Sequence, residues 1–160
     1  MQKKQEKRIK KICFAASSGG HLEEILGLDA LGEKYDSILI TEKTKYQLNV
    51  WQKNIYYMKQ INRREKLMML HLITIFIRSI SLLIKENPDM IVSTGALMTV
   101  PVCIAGKLLG KKIVFIESIA RVKSPSATGK LLYKFSDLFI VQWEQLLEIY
   151  PKAVYGGRII

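Results

Sequence analysis

The chain has 160 residues, of which 49% are hydrophobic, and this length and composition suit one domain with a substantial core. Lys and Arg exceed Asp and Glu by 25 to 14, a formal net charge of +11, which indicates an anionic partner such as a lipid surface, a phosphorylated ligand or a nucleic acid. Two cysteines in unrelated apolar stretches indicate neither a disulfide framework nor a metal site, and they favour a reducing, cytoplasmic setting.

The N-terminal residues 1–11 form a basic leader, with six basic side chains and one Glu, ahead of a single domain at 12–160. The apolar run that follows the leader is short and lacks a signal-peptide cleavage pattern, so we predict no secretion signal. The domain ends with Gly156 and Gly157, which are predicted to turn the chain away from it.

Six strands are predicted to alternate with helices along this domain. The strand segments are KKICFAAS, YDSILIT, NIYYMK, PDMIVSTG, KKIVFIES and DLFIVQ, and the intervening helical segments include HLEEILGLDALGEK, TVPVCIAGKLLG and SATGKLLYKFS. Continuous Ile, Val, Leu and Phe in strands that alternate with helices predicts a parallel sheet covered on both faces. The expected fold class is α/β, a doubly wound, mostly parallel, Rossmann-like sheet that binds ligands at the carboxyl ends of its strands.

An apolar helix is predicted at about 65–86, where residues 67–84 read LMMLHLITIFIRSISLLI. Its polar side chains form one stripe at helical spacing, with Ser79 as the outlier: His71, Thr74, Arg78, Ser81 and Lys85. A transmembrane span is disfavoured because Arg78 near its middle costs about 2.5–3.5 kcal/mol on insertion scales. The pattern favours a helix that lies on an anionic membrane, while a helix buried in the core or covered by another subunit stays open. The predicted membrane contacts are Arg63, Arg64, Lys66, Met69, Ile73, Phe76, Ile77 and Ile80.

The segment FAASSGGHLEEIL runs from a strand through Ser-Ser-Gly-Gly-His into a helix. Glycines allow close approach of the backbone to a ligand, and the N-terminus of a helix suits a phosphate. The segment has neither the spacing of a dinucleotide loop nor the Lys-Ser/Thr of a Walker loop, so neither cofactor is indicated. A Gly-Gly turn whose serines help to cap the helix explains the pattern equally well.

Two later loops also follow strands, and all three loops are expected at the same edge of the sheet. Together they predict a cleft with a base, hydroxyls, a carboxylate and a cation. The candidate residues are His21, Ser17, Ser18, Gly19, Gly20, Thr94, Gly95, Glu117, Ser118 and Arg121.

Three long stretches carry a family resemblance that covers nearly the whole chain. They are ICFAASSGGHLEEIL, the segment from PDMIVSTGALMTVP to DLFIVQW, and YPKAVYGG. They resemble the glycosyltransferase subunits of bacterial capsule and exopolysaccharide synthesis, relatives of the membrane-recruiting subunit of the two-component N-acetylglucosaminyltransferase of dolichol-linked oligosaccharide synthesis. More distantly, the order of loops is similar to the N-terminal half of the peptidoglycan transferase that adds N-acetylglucosamine to a lipid-diphosphate acceptor.

The resemblance implies the acceptor-side half of a split GT-B glycosyltransferase. It implies a separate catalytic subunit that binds the nucleotide sugar, a lipid-diphosphate saccharide acceptor, no activity of this chain alone, and a peripheral or monotopic location at the cytoplasmic face of the cell membrane. By motif, Gly19, Gly20 and His21 match the first loop, Gly95 the second and Glu117 the third. His21 is then the candidate general base, and Glu117 the second candidate catalytic residue.

Two further interpretations stay open at this stage. In the first interpretation, the chain is a non-catalytic membrane adaptor that recruits and activates a separate catalytic subunit. In the second it binds nucleotides or nucleic acid, which we disfavour because no base-stacking motif accompanies the cations. We expect no cofactor, and no metal because the sequence lacks a cluster of metal ligands.

Overall fold

The structure is a computed structural model that describes residues 9–43, 54–61 and 65–160, so most of the basic leader lies outside the described residues. The strands are β1 (Lys11–Ala16), β2 (Asp36–Glu42), β3 (Asn54–Met58), β4 (Met90–Gly95), β5 (Lys112–Ile116), β6 (Leu138–Val141) and β7 (Val154–Tyr155). The helices are α1 (Gly20–Leu26), α2 (Asp29–Lys34), α3 (Met68–Glu86), α4 (Thr99–Leu108) and α5 (Ala127–Leu132), and a 3-10 helix spans Glu144–Glu148.

All described strands form one sheet in the order β3-β2-β1-β4-β5-β6-β7, and every neighbouring pair is parallel. The chain begins at the centre, builds outward to β3, crosses back to β4 and then builds outward in the other direction. The carboxyl ends of β1 and β4 therefore form the topological switch point at which ligands bind in such sheets. This topology confirms the predicted doubly wound, Rossmann-like fold.

The core consists of two apolar layers, one on each face of the sheet. Side chains alternate along β1, so that Ile12 and Phe14 pack in the layer that contains Ile25 of α1. Cys13 points to the opposite layer, which contains Ile75 of α3. Because both faces are covered, the strands need apolar residues at nearly every position, which is the pattern that made them recognisable.

The predicted single helix over HLEEILGLDALGEK is wrong, because the segment forms two short helices that break at Gly27. A Cβ atom on Gly27 would lie 2.8 Å from Cγ2 of Ile159 and 3.0 Å from Cγ2 of Ile160. The C-terminal tail thus crosses the end of α1 where only glycine leaves room for it. The helix stops at Leu26 and restarts at Asp29.

The prediction that Gly156 and Gly157 turn the chain away from the domain is also wrong. Val154 and Tyr155 add the seventh strand, which the sequence analysis missed because two residues are too few to show a periodic pattern. Gly156 N then donates to Val141 O at 3.0 Å, and Ile159 N donates to Gln142 Oε1 at 2.9 Å. The tail therefore returns across the domain toward α1.

Candidate functional site

A cleft of about 110 Å³ opens at the carboxyl edge of the sheet, where the loops after β1, β4 and β5 meet. Five of the predicted site residues line it: His21, Thr94, Gly95, Ser118 and Arg121. Four further lining residues were not predicted, namely Ala96, Ala120, Ser126 and Thr128. The structure therefore brings together one predicted residue or more from each of the three loops.

His21 lies in the first turn of α1, and the β4 loop fixes its position. Thr94 Oγ1 donates to the His21 carbonyl at 2.7 Å. A Cβ atom on Gly95, whose φ is +103°, would lie 3.3 Å from Cε1 of the His21 ring, so the imidazole stacks directly on this glycine. His21 Nδ1 is buried and has no hydrogen-bond partner within the described part of the chain. The imidazole is thus held in place by its surroundings, with this buried nitrogen left unpaired among the described residues.

The serines of the first loop bind the protein rather than face the cleft. Ser17 N donates to Gly95 O at 2.8 Å, and Ser17 Oγ accepts from Ala96 N at 3.3 Å, so Ser17 joins the first and second loops. Ser18 donates to Glu42 Oε2 from its backbone N at 3.2 Å and from its hydroxyl at 3.0 Å. Glu42 is buried at the end of β2. These contacts position the loop, and they do not show a ligand.

The two glycines of this loop differ from each other in backbone conformation. Gly19 has φ +83°, a left-handed conformation that favours glycine, and its carbonyl accepts from Leu22 N and Glu23 N to start α1. Gly20 has no positive φ, and a Cβ atom on either glycine would meet no atom within 4 Å. Open space therefore borders the loop at both positions.

Glu117 is buried, with 1% of its surface exposed, and both of its carboxylate oxygens accept hydrogen bonds from the protein. Oε1 accepts from Ser118 N at 3.1 Å, and Oε2 accepts from Ser126 N and from Tyr150 Oη, both at 3.1 Å. Burial, followed by the Glu117 charge, raises the pKa of Tyr150 above its ordinary value. This arrangement favours a positioning role, in which Glu117 ties the β5 loop to the start of α5, and its catalytic role stays a prediction.

Glu24 is a buried carboxylate that the sequence analysis missed. Oε1 accepts from Ser118 Oγ at 2.8 Å and from Ile119 N at 3.2 Å, and Oε2 accepts from Gln142 Nε2 at 3.1 Å. Burial raises the pKa of Glu24, although these hydrogen bonds and the nearby His21 oppose the shift. The available signal was its spacing, since Glu24 follows His21 by three residues and therefore lies on the same side of α1.

Arg121 is the exposed cation of the cleft, and its backbone N donates to Ser118 O at 2.9 Å. It lies in the loop that Glu24 and Glu117 hold from two sides through Ser118. Among the described residues, no group of three or more His, Cys, Asp or Glu side chains is arranged to hold a metal ion. The cleft therefore offers an imidazole, hydroxyl groups and a guanidinium as its chemical groups.

Helix α3 presents the second candidate surface, on its side away from the sheet. Its buried face consists of Ile75, Ser79 and Leu83, so the predicted outlier Ser79 points into the core. Of the predicted membrane contacts, Lys66, Met69, Ile73 and Ile77 are exposed, whereas Phe76 and Ile80 are half-buried against the core and are less available than predicted. Arg63 and Arg64 lie outside the described residues. The sequence analysis missed three exposed side chains, Leu67, Leu70 and Ile84.

The exposed apolar surface of α3 is unusual for a helix of a folded domain. Met69 is 63% exposed, Ile77 62% and Ile84 62%. The helix is long and apolar enough to cross a membrane, and only 22% of its most apolar stretch is buried within the domain. A helix that served only to cover the sheet would bury most of such a stretch, so the alternative of a helix fully buried within this domain is wrong, while cover by another subunit stays open.

Residues 32–159 match the family described as oligosaccharide biosynthesis protein Alg14 like. The chain belongs to the Alg14-like family. It is 34% identical over 180 aligned positions to the UDP-N-acetylglucosamine transferase subunit ALG14 of Homo sapiens, which covers 93% of this chain and 82% of the human protein. It is 48% identical over 77 positions to the subunit of the same name from Schizosaccharomyces pombe, covering 45% of this chain and 37% of that protein.

Solved structures share the fold at low sequence identity. The crystal structure of MurG from Acinetobacter baumannii superposes with a TM-score of 0.66 at 16% identity, over 82% of this chain and 41% of that chain. The UDP-N-acetylglucosamine 2-epimerase from Rickettsia bellii superposes with a TM-score of 0.72 at 15% identity, over 95% of this chain and 46% of that chain. This Alg14-like chain thus spans less than half of each, and the predicted likeness to one half of a GT-B protein is confirmed.

Proposed function

We propose that this chain is the acceptor-side, membrane-associating subunit of a two-component glycosyltransferase. The observation that carries the proposal is the match over 82% of the length of a human protein named as a UDP-N-acetylglucosamine transferase subunit. The enzyme moves a sugar, with N-acetylglucosamine of UDP-N-acetylglucosamine as the proposed donor, to a lipid-diphosphate-linked saccharide. Residues 12–160 form the acceptor-side domain in this proposal, and residues 1–11 a basic leader.

In the proposed reaction, the acceptor hydroxyl attacks the anomeric carbon of the donor sugar, the bond to the nucleotide diphosphate breaks, and a base takes the hydroxyl proton. His21 is the candidate base because its imidazole lines the cleft and matches the histidine of the first loop motif. Arg121 supplies a positive charge for an anionic acceptor, and Thr94 and Ser118 line the cleft beside it with their hydroxyls bound to His21 and Glu24. Gly19 and Gly20 leave room for the acceptor, Gly95 leaves room for the His21 ring, and Ser17, Ser18 and Glu117 position the loops.

A separate polypeptide supplies the half that binds the nucleotide sugar. This part of the proposal is supported by the human relative, which is named as a subunit of a UDP-N-acetylglucosamine transferase and is covered over 82% of its length. Turnover needs groups that stabilise the departing diphosphate, and these come from the partner. The isolated chain is therefore inactive.

The exposed apolar face of α3 holds the subunit at the cytoplasmic face of the membrane, where a lipid-linked acceptor resides. Its composition and exposure suit a helix that lies in the headgroup region. Capsule or exopolysaccharide synthesis stays the predicted setting on the strength of the sequence motifs, and the relatives named above are eukaryotic proteins.

The test is sugar transfer by the chain co-purified with its partner after expression of both. UDP-N-acetylglucosamine is the donor and a short-chain lipid-diphosphate sugar is the acceptor, so that membrane binding does not limit the rate. We expect turnover by the pair, none by either chain alone, and a large loss in His21→Ala. The matched control is His71→Ala, which removes the other histidine of the chain, on α3. Full turnover by the isolated chain would contradict the two-component proposal.

A second candidate is a non-catalytic membrane adaptor that recruits and activates its partner. One observation favours it: Glu117, the second predicted catalytic residue, has both carboxylate oxygens bound within the protein. In that case His21→Ala keeps wild-type turnover, whereas substitutions in the exposed face of α3 release the complex from membranes. The same assay, run with vesicles, separates the two candidates.

A further inference from the structure

A pocket of about 250 Å³ lies between strand β3 and helix α3, on the outer edge of the sheet. Tyr56 and Tyr57 line it from β3, and Arg78, Ser81 and Lys85 line it from α3. Strand β2 separates β3 from β1, so this pocket is distinct from the cleft at the carboxyl ends of β1, β4 and β5. The proposed sugar transfer makes no use of its residues.

The pocket is positively charged. Arg78 and Lys85 supply two cations, and neither forms an ion pair with a carboxylate of the described residues. The nearest acid along the helix is Glu86, whose carboxylate accepts from Lys11 Nζ at 2.6 Å and from Tyr56 Oη. Lys11, which also lies 3.6 Å from Asp36, is thus the ion-pair partner of Glu86, while Arg78 and Lys85 keep their charges for a ligand of the pocket.

Hydroxyl and ring groups complete the lining. Ser81 and the exposed Tyr57 supply hydroxyls, and Lys85 Nζ lies 6.0 Å from the centre of the Tyr56 ring. A guanidinium, an ammonium and neutral hydroxyl donors are the groups that bind phosphate oxygens through charge-assisted hydrogen bonds. The chemistry of the pocket thus fits a phosphate ester.

The pocket borders the exposed apolar face of α3. Arg78, Ser81 and Lys85 follow one another at intervals of three and four residues, which places them in one stripe along the helix. Ile77 and Ile84 precede Arg78 and Lys85 by one position each, about 100° around the helix, and both are 62% exposed. A molecule with a phosphate in the pocket would extend its apolar part directly over these side chains.

We propose that this pocket binds the phosphate headgroup of an anionic bilayer phospholipid, whose acyl chains lie along the exposed apolar face of α3. The proposal rests on the proposed membrane association and adds a specific headgroup site to it. The pocket fixes how the helix is rotated on the membrane, because the phosphate can be reached only from the β3 side of α3.

The test is flotation of the full chain with phosphatidylcholine vesicles that contain or lack phosphatidylglycerol. The pocket variant is Arg78→Gln with Lys85→Gln. The matched control is Lys34→Gln with Lys152→Gln, which removes the same charge from two exposed positions and includes a lysine over a tyrosine ring, Lys34 over Tyr35. A third variant, Ile73→Ser with Ile77→Ser, tests the apolar face itself.

We expect the pocket variant to lose roughly 30-fold in binding to vesicles with phosphatidylglycerol, since each of two basic residues near an anionic surface contributes on the order of 1 kcal/mol. The control variant should lose less than about threefold, because its two lysines lie outside the pocket. Equal losses in the pocket and control variants would overturn the headgroup site while leaving membrane association intact. Failure of the wild-type chain to float, or wild-type binding by the Ile73→Ser, Ile77→Ser variant, would instead overturn the proposed membrane association.

A second measurement uses dihexanoyl-phosphatidylglycerol as a dispersed probe and follows backbone amide NMR signals of the wild-type chain. We expect shifts at Tyr56, Tyr57 and Ser81 that the pocket variant loses and the control variant keeps. Inorganic phosphate at the same concentration should produce little change. Equal shifts with inorganic phosphate would show a site for free phosphate and would contradict the lipid assignment.

Discussion

The cleft and the exposed face of α3 both depart from the usual burial of side chains. The cleft buries carboxylates, whereas α3 exposes apolar side chains. At the cleft, the carboxylates of Glu24 and Glu117 are buried and accept hydrogen bonds from the β5 loop and from Gln142 and Tyr150. On α3, Met69, Ile73 and Ile77 are more than half exposed. Buried polar groups and exposed apolar patches are the informative departures from ordinary burial. This domain thus keeps a hydrogen-bonded polar site separate from an exposed apolar surface.

The two regions also differ in the direction in which the pKa of a carboxyl group is shifted. Burial raises the pKa of Glu24 beside the cleft, whereas the hydrogen bond from Lys11 Nζ lowers the pKa of Glu86 at the end of α3. The stability that each carboxylate contributes should therefore change with pH in opposite directions.

The largest effect is expected for His21→Ala in the co-purified pair. Removal of a general base lowers turnover by about 10²–10⁴-fold, while the free energy of unfolding should change by less than about 1 kcal/mol because the imidazole is only partly buried. Steady-state transfer to a short-chain acceptor and urea unfolding measure the two quantities. Wild-type turnover in this variant would contradict a catalytic role for His21 and support the adaptor interpretation.

The second-largest effect is expected for Gly129→Ala, which tests how tightly the protein packs around Glu117. A Cβ atom on Gly129 would lie 2.0 Å from Glu117 Oε2 and 2.9 Å from Tyr150 Oη. Gly129→Ala should therefore break the Glu117 hydrogen bonds and lower the free energy of unfolding by about 3 kcal/mol. Gly20→Ala is the control, because no atom lies within 4 Å of its added Cβ, and its stability should stay within about 1 kcal/mol of wild type. Equal urea midpoints for the two variants would contradict a tightly packed cleft.

Glu24→Gln should lower the free energy of unfolding by roughly 1–3 kcal/mol. The new side-chain amide would face the amide of Gln142, which now donates a hydrogen bond to the carboxylate of Glu24. The folded pKa of Glu24 is raised above the ordinary 4.5, so its protonated form stabilises the fold below that value. This contribution declines as the pH rises through the folded pKa. The advantage of wild type over the variant, from urea unfolding at several pH values, should therefore be largest at acid pH. A difference that grows with pH would be inconsistent with a desolvated carboxylate.

Glu86→Gln gives the smallest effect, about 1 kcal/mol at neutral pH, through loss of the contacts with Lys11 and Tyr56. The folded pKa of Glu86 lies below the ordinary 4.5, so its stabilisation is fully present above that value and is lost as the pH falls through the folded pKa. The same urea series should show the wild-type advantage disappear toward acid pH, opposite to Glu24. If the wild-type advantage over Glu24→Gln and over Glu86→Gln changed with pH in the same direction, the predicted electrostatic difference between the two regions would be contradicted.

The sequence predicts the sheet and α3 better than it predicts the cleft, for a physical reason. Ile, Val and Leu runs and the polar stripe of α3 are local patterns set by the geometry of a strand or helix. Glu23 and Glu24 look alike in the sequence, yet one is exposed and the other is buried against Ser118, 94 residues later. Such pairing depends on tertiary contacts. The loops were predictable by their position after strands, but their hydrogen bonds were not.

Ser18 and Gly27 illustrate the same limit. The sequence suggests a ligand contact for Ser18, whereas its hydroxyl binds Glu42 from the neighbouring strand. Gly27 looks like an ordinary helical residue until the C-terminal tail is seen to cross it. Both depend on strand order and on the path of the tail, which local periodicity does not encode.

The central claim is that chemistry and membrane contact occupy separate regions of one subunit. The direct test compares His21→Ala with Ile73→Ser, Ile77→Ser in the co-purified pair, with a long-chain lipid-diphosphate sugar in vesicles and with its short-chain analogue. We predict that His21→Ala loses transfer to both acceptors, whereas the α3 variant loses about tenfold with the vesicle acceptor and less than twofold with the short-chain one. Equal losses by the α3 variant with both acceptors, or wild-type transfer by His21→Ala, would contradict the account.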